Sequence, residues 1–249
     1  METNIIKNKL EDLEKSEFIL HHHLGLGDHI VMNGMVNYLS KQYKKIHLPA
    51  KENNYPTIKF MFEKNDKVEV FKIRLQNEYQ DIKSYSDLKN LEILKVGFEN
   101  IKLKKKFNLA FYEQLNLSYN ISFDYFNPNY IEFKNKNLLK YLRKYYKCHD
   151  KYIILHIESS TGTYDIRDLN LKSDLPYILI EKKSDVFSNI LYYLDALKEA
   201  EEVHCINSSV YTLVDRISTN GKLYFHNIKK EPIKSLTTFN KSWNYIDYY

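Results

Sequence analysis

Phe18-Ile-Leu-His-His-His-Leu-Gly-Leu-Gly-Asp-His-Ile-Val-Met-Asn-Gly-Met-Val-Asn-Tyr-Leu39 decides the fold. An apolar run of strand length ends in three histidines, turns at two glycines and goes on as a helix. The strand is predicted over 17–23 and the helix over 28–43. In that helix Ile30, Gly34 and Tyr38 recur at spacing four, as do Val31, Met35 and Leu39. Together they make one wide apolar stripe, and Gly34 on it predicts close packing against the sheet. Three of the chain's six glycines, Gly25, Gly27 and Gly34, fall in this stretch. Glycine allows positive φ and close approach of the backbone to a ligand. A helix start also offers unpaired N–H groups and a positive dipole end, which suit phosphate or carboxylate. A plain tight turn between strand and helix would leave the same pattern.

Outward from this stretch, strand and helix alternate. Strands are predicted at 45–48 (ended by Pro49), 67–73 and 92–96. Helices are predicted at 55–63, with Pro56 at its start, and at 78–90. This is the signature of a parallel α/β layer. Residues 1–15 read as a short polar helix or a frayed leader, 107–115 and 135–146 as helices, and 116–129 as irregular and aromatic. A second alternation begins near Lys151. Its strands are predicted at 152–157, 177–180, 202–206 and 222–226, and its helices at 186–200 and from Ser208 onward. The tail, 232–249, is polar and aromatic and is expected to wrap back onto the body. The reading is therefore an α/β chain of two halves, 1–148 and 149–249.

Composition narrows the function classes. Apolar residues make up 43% of the 249, which allows a sizeable core. No run approaches the roughly 18 apolar residues of a membrane helix, and the charged first residues do not form a signal peptide. Cys148 and Cys205 are far apart, which gives neither a disulfide framework nor a zinc pattern, so a reducing, cytoplasmic setting is expected. The net charge of +5 falls short of a dedicated nucleic-acid binder and fits an anionic small ligand. The run Lys102–Lys106 reads as a solvated edge.

Each half contains one strand-to-helix turn of site-like composition, Gly25–Asp28 and Asn207–Ser209. Ligands of open α/β sheets bind beyond the carboxyl ends of the strands, so two facing halves would set a cleft between these turns. Asp28 stands where the helix N-cap is predicted. His21 and His23 share one face of the strand and His22 points to the other. Without a matching carboxylate or cysteine cluster they do not suggest a metal site. His23, His29 and His156 are cleft candidates. Ser208 and Ser209 either cap a helix or cradle a phosphate. Arg167 follows the first strand of the second half, where it is either a surface residue or a bidentate phosphate partner. His204 and His226 read as structural strand residues.

The stretch His23-Leu-Gly-Leu-Gly-Asp-His-Ile30 resembles the first-strand loop of GT-B glycosyltransferases of the heptosyltransferase-like group, which carry a small-Leu-Gly-Asp turn there. Residues 200–214 are similar to the stretch where such enzymes hold the donor diphosphate. The block 107–115 and Tyr224-Phe-His226 add to the likeness. The resemblance implies two Rossmann-like domains in a GT-B-like arrangement and a metal-independent glycosyltransferase that needs no cofactor. Its donor would be a nucleotide-diphosphate sugar bound by the second half, with Ser208, Ser209 and Arg167 on the diphosphate. Its acceptor would be a glycan or a lipid-linked saccharide held by the first half around Gly25, Gly27, His23 and His29. Asp28 takes the position of the family's proposed general base. The donor turn departs from the pattern: Asn207-Ser208-Ser209 has no glycine and no following histidine. The alternative is a non-catalytic, glycosyltransferase-like module that binds a glycan or a protein partner. A dinucleotide oxidoreductase is disfavoured, because the turn lacks the full G-x-G-x-x-G.

Overall fold

The computed structural model describes residues 5–98, 106–159, 162–165, 171, 173–181, 187–228 and 239–248. The chain divides into two compact units, one running to Asn129 and the other from Tyr130, with the closing stretch from Phe239 joined to the second.

In the first unit, strands β1 (Ile6–Lys7), β2 (Glu17–His21), β3 (Lys45–Lys51), β4 (Val68–Ile73) and β5 (Glu92–Lys95) form one sheet in the order β1-β5-β2-β3-β4. Every pair in it is parallel. Phe18, Ile19 and Leu20 of β2 are fully buried. A continuous apolar run is what a central strand covered on both faces requires. Helices α1 (Leu26–Leu39), α2 (Tyr55–Met61) and α3 (Glu78–Lys89) connect the strands. Helices α4 (Phe107–Gln114) and α5 (Ile121–Asp124) pack on α1, which is buried nearly all round.

Three expectations change here. First, Gly34 packs against the backbone of α5 rather than the sheet: a Cβ added there would stand 2.3 Å from the Ile121 carbonyl oxygen and 2.8 Å from Ser122 Cα. The stretch 116–129 is thus a cover for α1, tied to it by Ser122 Oγ donating to the Val31 carbonyl at 3.0 Å and Asn127 N donating to Asn33 Oδ1 at 2.8 Å. Second, β3 does not stop at Pro49 but runs on to Lys51. Ile46 N bonds toward β4 and Lys45 N toward the β2 side. By strand alternation the missing Pro49 N–H faces β2, whose pairing with β3 ends at His47, so no ladder bond is lost. Third, the N-terminal segment, expected as a short polar helix or a frayed leader, supplies the edge strand β1 and then a single 3-10 turn at Leu10–Asp12. The buried Glu92 carboxylate holds it, accepting from Glu14 N at 2.9 Å and Lys15 N at 3.0 Å and pairing with Lys7 at 3.5 Å.

The second unit repeats the plan. Strands β6 (Ile153–His156), β9 (Tyr177–Leu179), β10 (Glu202–Cys205), β11 (Lys222–Asn227) and β12 (Trp243–Asp247) pair in parallel in the order β12-β11-β10-β6-β9. A small antiparallel pair, β7 (Glu158–Ser159) and β8 (Gly162–Thr163), lies beside them in sequence. Helix α6 (Glu132–Tyr145) buries Leu138, Leu139 and Leu142 and packs on α7 (Leu194–Glu199). The helix predicted over 186–200 begins as a 3-10 turn at Ile190–Tyr193, where Asn189 Oδ1 accepts from Leu191 N. The six-residue α8 (Ser209–Val214) follows β10. The tail does more than wrap back: it adds β12 as a parallel edge strand beside β11. The buried Asp215 carboxylate anchors it, accepting from Asn240 N, Lys241 N and Trp243 Nε1 at 2.9–3.2 Å.

Both units are Rossmann-like. In the first, the chain moves from β2 through β3 to β4 and then returns to place β5 on the other side of β2. In the second it moves from β6 to β9 and returns to place β10 on the other side of β6. Each sheet thus has a topological switch point, where open α/β sheets form their binding crevices.

Candidate functional site

The β2–β5 switch point gathers the residues of the opening stretch. Strand β2 ends at His21, whose carbonyl accepts from Val96 N at 2.8 Å. As strand alternation requires, His21 and His23 share a side: both rings lie against Phe98, with centroids 5.0 and 4.8 Å away. His22 turns inward instead and meets His29 edge-on at 4.3 Å. His22 and His29 are both fully buried. Burial pushes His21 down to about 4 and His22 to about 3, and holds His29 well below the ordinary histidine range. These imidazoles are therefore neutral at pH 7. His29 is a core residue at this edge, packed on His22.

Helix α1 begins two residues earlier than predicted, so Gly25 is the N-cap and Asp28 occupies the third helical position. The Asp28 carboxylate reaches back and accepts from Gly25 N at 3.1 Å. This is one arm of a capping box. Gly25 has φ −72°, which any residue adopts. Its lack of a side chain matters for space, since an added Cβ would stand 2.7 Å from Asp28 Oδ2. Burial raises the Asp28 carboxyl to about 7, against the pull of the Gly25 amide and of Lys51. The carboxylate also occupies the N–H group that an anion would use, so this helix start accepts protons more readily than phosphate. Gly27 lies in the first turn of α1.

Two further residues at this edge escaped the sequence reading. Gly97 has φ +89°, and an added Cβ would strike the Phe111 ring at 2.1 Å. Its N–H donates to Gln114 Oε1 at 2.7 Å. Phe98 carries the two histidines described above. A glycine placed directly after a strand was the available signal.

The β6–β10 switch point lies in the second unit. His156 ends β6, buried, with Nδ1 donating to the Ile180 carbonyl at 2.8 Å. That bond ties β6 to the residue after β9, on the side away from β10. Ile206 N bonds the His156 carbonyl at 3.3 Å and leads the chain into Asn207 and Ser208. Ser208 is the N-cap of α8 by position, yet its hydroxyl caps nothing: Oγ is buried without a hydrogen-bond partner. Ser209 opens the helix. Arg167 lies outside the described residues, as do residues 102–105 of the lysine run. Cys205 is buried and its thiol pushed far up, so it is inert. Among the described residues no group of three or more His, Cys, Asp or Glu is placed to hold a metal ion.

Neither a family model nor a curated protein matches the sequence. The fold, in contrast, has a solved relative. A glycosyl transferase family 9 protein from Veillonella parvula DSM 2008 superposes with a TM-score of 0.59 at 12% identity. The match covers 97% of this chain and 88% of that one. At that identity the likeness is one of fold, and it extends over both Rossmann-like units: the chain has a GT-B-like fold.

Proposed function

We propose that the chain is a glycosyltransferase whose first unit binds the acceptor and whose second unit binds a nucleotide-diphosphate sugar, without a metal. The observation that carries this reading is Asp28, a half-buried carboxyl at the β2–β5 switch point with its pKa raised to about 7. A general base works best when its pKa lies near the operating pH. Asp28 would take the acceptor hydroxyl's proton as that oxygen attacks the anomeric carbon and the diphosphate leaves. In the second unit the unpartnered Ser208 hydroxyl and the Ser209 amide are offered to the diphosphate, with Arg167 as its charge partner. The fold shared with a family 9 protein is consistent with this division of labour.

The test has two arms. A sugar-nucleotide panel followed by thermal shift should stabilise the full chain, and Ser208→Ala should reduce that shift. Turnover of the donor so found should fall about 10²–10⁴-fold in Asp28→Asn, with donor binding retained. No stabilisation by any nucleotide sinks the donor assignment. Full turnover in Asp28→Asn sinks the base.

A further inference from the structure

Helix α6 has two faces of opposite chemistry. Asn135, Leu138, Leu139 and Leu142 are buried, and the helix packs on α7 and the 3-10 turn before it. On the other side Phe133, Lys136, Lys140, Tyr141, Lys144 and Tyr145 are all exposed. Their spacing of three and four residues makes one stripe. It runs the length of a helix of 14 residues, about 21 Å. Phe133 is 75% exposed, Tyr145 62% and Tyr141 45%. Lys136 pairs with Glu132, while Lys140 and Lys144 meet no acidic side chain among the described residues. The other exposed Phe and Tyr side chains described in the second unit, Phe187 and Tyr177, border this helix. Phe187 packs on Tyr192, whose hydroxyl lies 3.0 Å from Lys134 Nζ, and the Tyr177 carbonyl lies 3.9 Å from Cys148 Sγ, just past the helix end.

Exposed aromatic surface gathered in one patch marks a contact site, and the cations interleaved with it select the partner. The helix's one arginine, Arg143, is turned inward, 3.0 Å from Glu199 and over the Tyr152 ring at 5.4 Å. The cations of the stripe are therefore all lysines. Protein interfaces are depleted in lysine and enriched in arginine, and nucleic-acid recognition favours the planar guanidinium fork. The Tyr141 and Tyr145 rings also stack on each other, with centroids 5.9 Å apart, so each turns a face to the other rather than to a base. A lysine is a hydrated point charge on a flexible apolar stem. Lysines alternating with aromatic rings match the boundary of an anionic bilayer, where rings sit at headgroup level and ammonium groups lie among the lipid phosphates.

We propose that the outer face of α6 docks the chain on a membrane surface rich in anionic lipid. Phe133, Tyr141 and Tyr145 enter the boundary between headgroups and acyl chains, and Lys140 and Lys144 lie on the lipid phosphates. Among the described residues no helix is long and apolar enough to cross a membrane, so the contact runs along the surface. The buried leucines stay in the core of the second unit, and only the outer stripe meets lipid. None of its residues lies at either switch point, so the docking surface does not depend on the glycosyl-transfer reading.

The experiment is flotation of the full chain with vesicles of phosphatidylcholine alone and of phosphatidylcholine mixed with phosphatidylglycerol. The chain should float with the mixed vesicles only, and added salt should weaken the binding by screening. An exposed lysine near an anionic surface is worth about fivefold, so Lys140→Gln combined with Lys144→Gln should weaken binding about 30-fold. Phe133→Ser should weaken it about tenfold. These positions are exposed, so the thermal midpoint should hold in each variant. Leu88→Ser, at an exposed apolar residue of α3 in the first unit, should leave binding unchanged. Phe133→Trp should be quenched by lipid brominated near the top of its acyl chains, beyond the background that Trp243, the chain's single tryptophan, gives in the wild type. No flotation, equal flotation with both kinds of vesicle, binding indifferent to the α6 substitutions, an equal loss in Leu88→Ser, or an unquenched Phe133→Trp overturns the proposal. So does binding of a single-stranded oligonucleotide that needs Lys140 and Lys144 in a chain that ignores vesicles, which would make the stripe a nucleic-acid contact.

Discussion

Replacing Asp28 by Asn separates what the opening turn contributes to stability from what it contributes to chemistry. Burial raises the Asp28 carboxyl from 3.8 to about 7. An acid whose folded-state pKa lies above its unfolded value binds more protons when folded. Stability therefore falls as pH climbs through the window between the two values and levels off above it. A rise from 3.8 to about 7 is worth about 4 kcal/mol at most, and the partial exposure of the side chain reduces this by screening to about 2 kcal/mol. Asparagine keeps an oxygen for the Gly25 N–H and nearly the same volume, but it has no proton to lose. Urea unfolding at about pH 4, 6 and 8 checks this, and the difference between the two proteins cancels the other titrating groups. The variant should match the wild type at the lowest pH and exceed it by about 2 kcal/mol at the highest. A difference independent of pH would refute the raised carboxyl. A wild type more stable at high pH would show that the carboxylate holds the helix start as a charged cap.

Three further substitutions probe close packing. Gly34→Ala gains about 1 kcal/mol of helix propensity but drives a Cβ into the α5 backbone. Overpacking of about 1–3 kcal/mol and the strained Ser122–Val31 bond should leave a net loss of about 2 kcal/mol; a thermal midpoint at or above that of the wild type counts against it. Gly25→Ala places its Cβ against Asp28 Oδ2 and should push the carboxylate off the Gly25 amide that lowers its pKa. The pH midpoint of the Asp28-dependent stability should then move upward, and an unmoved midpoint would mean that the carboxylate never held that amide. Asp215→Ala strips the acceptor from three donors at the start of β12. A loss of about 3 kcal/mol is expected, with faster hydrogen exchange along β12; unchanged protection would show that the strand is held by its ladder alone.

The central strands were legible because a parallel sheet buries both faces. Phe18–Leu20 and Ile153–Leu155 stand in short apolar runs that need no tertiary information to find. The edge strands were not. β1 is only Ile6–Lys7, and β12 reads Trp-Asn-Tyr-Ile-Asp. An edge strand pairs on one side and faces solvent, so its composition resembles a loop. Pro49 misled for a related reason: a missing N–H ends a strand only where a partner would have accepted it. The candidate site was legible in its turns and not in its second layer. Gly97 and Phe98 are brought to His21 and His23 by the pairing of β2 with β5 across some 70 residues of sequence, and no local pattern records that pairing.

On the proposed reading the two switch-point turns divide the chemistry between them. At the first, the α1 start already holds a carboxylate on the Gly25 amide, and every neighbouring imidazole is held neutral. A second anion there would meet the Asp28 carboxyl and find the first amide taken, and on the proposed reading the glycines serve Asp28 rather than a phosphate. At the second, a buried serine hydroxyl stands unpartnered at a helix start, with no acidic side chain among Asn207, Ser208 and Ser209. An unsatisfied buried hydroxyl costs about 1–3 kcal/mol, a cost that an incoming anion removes. The order of affinities follows: anion binding should respond to Ser208→Ala and be indifferent to Asp28→Asn, whereas proton transfer should respond to Asp28→Asn alone. The reverse pattern, with anion binding lost in Gly25→Ala and retained in Ser208→Ala, would assign the phosphate to the glycine turn after all.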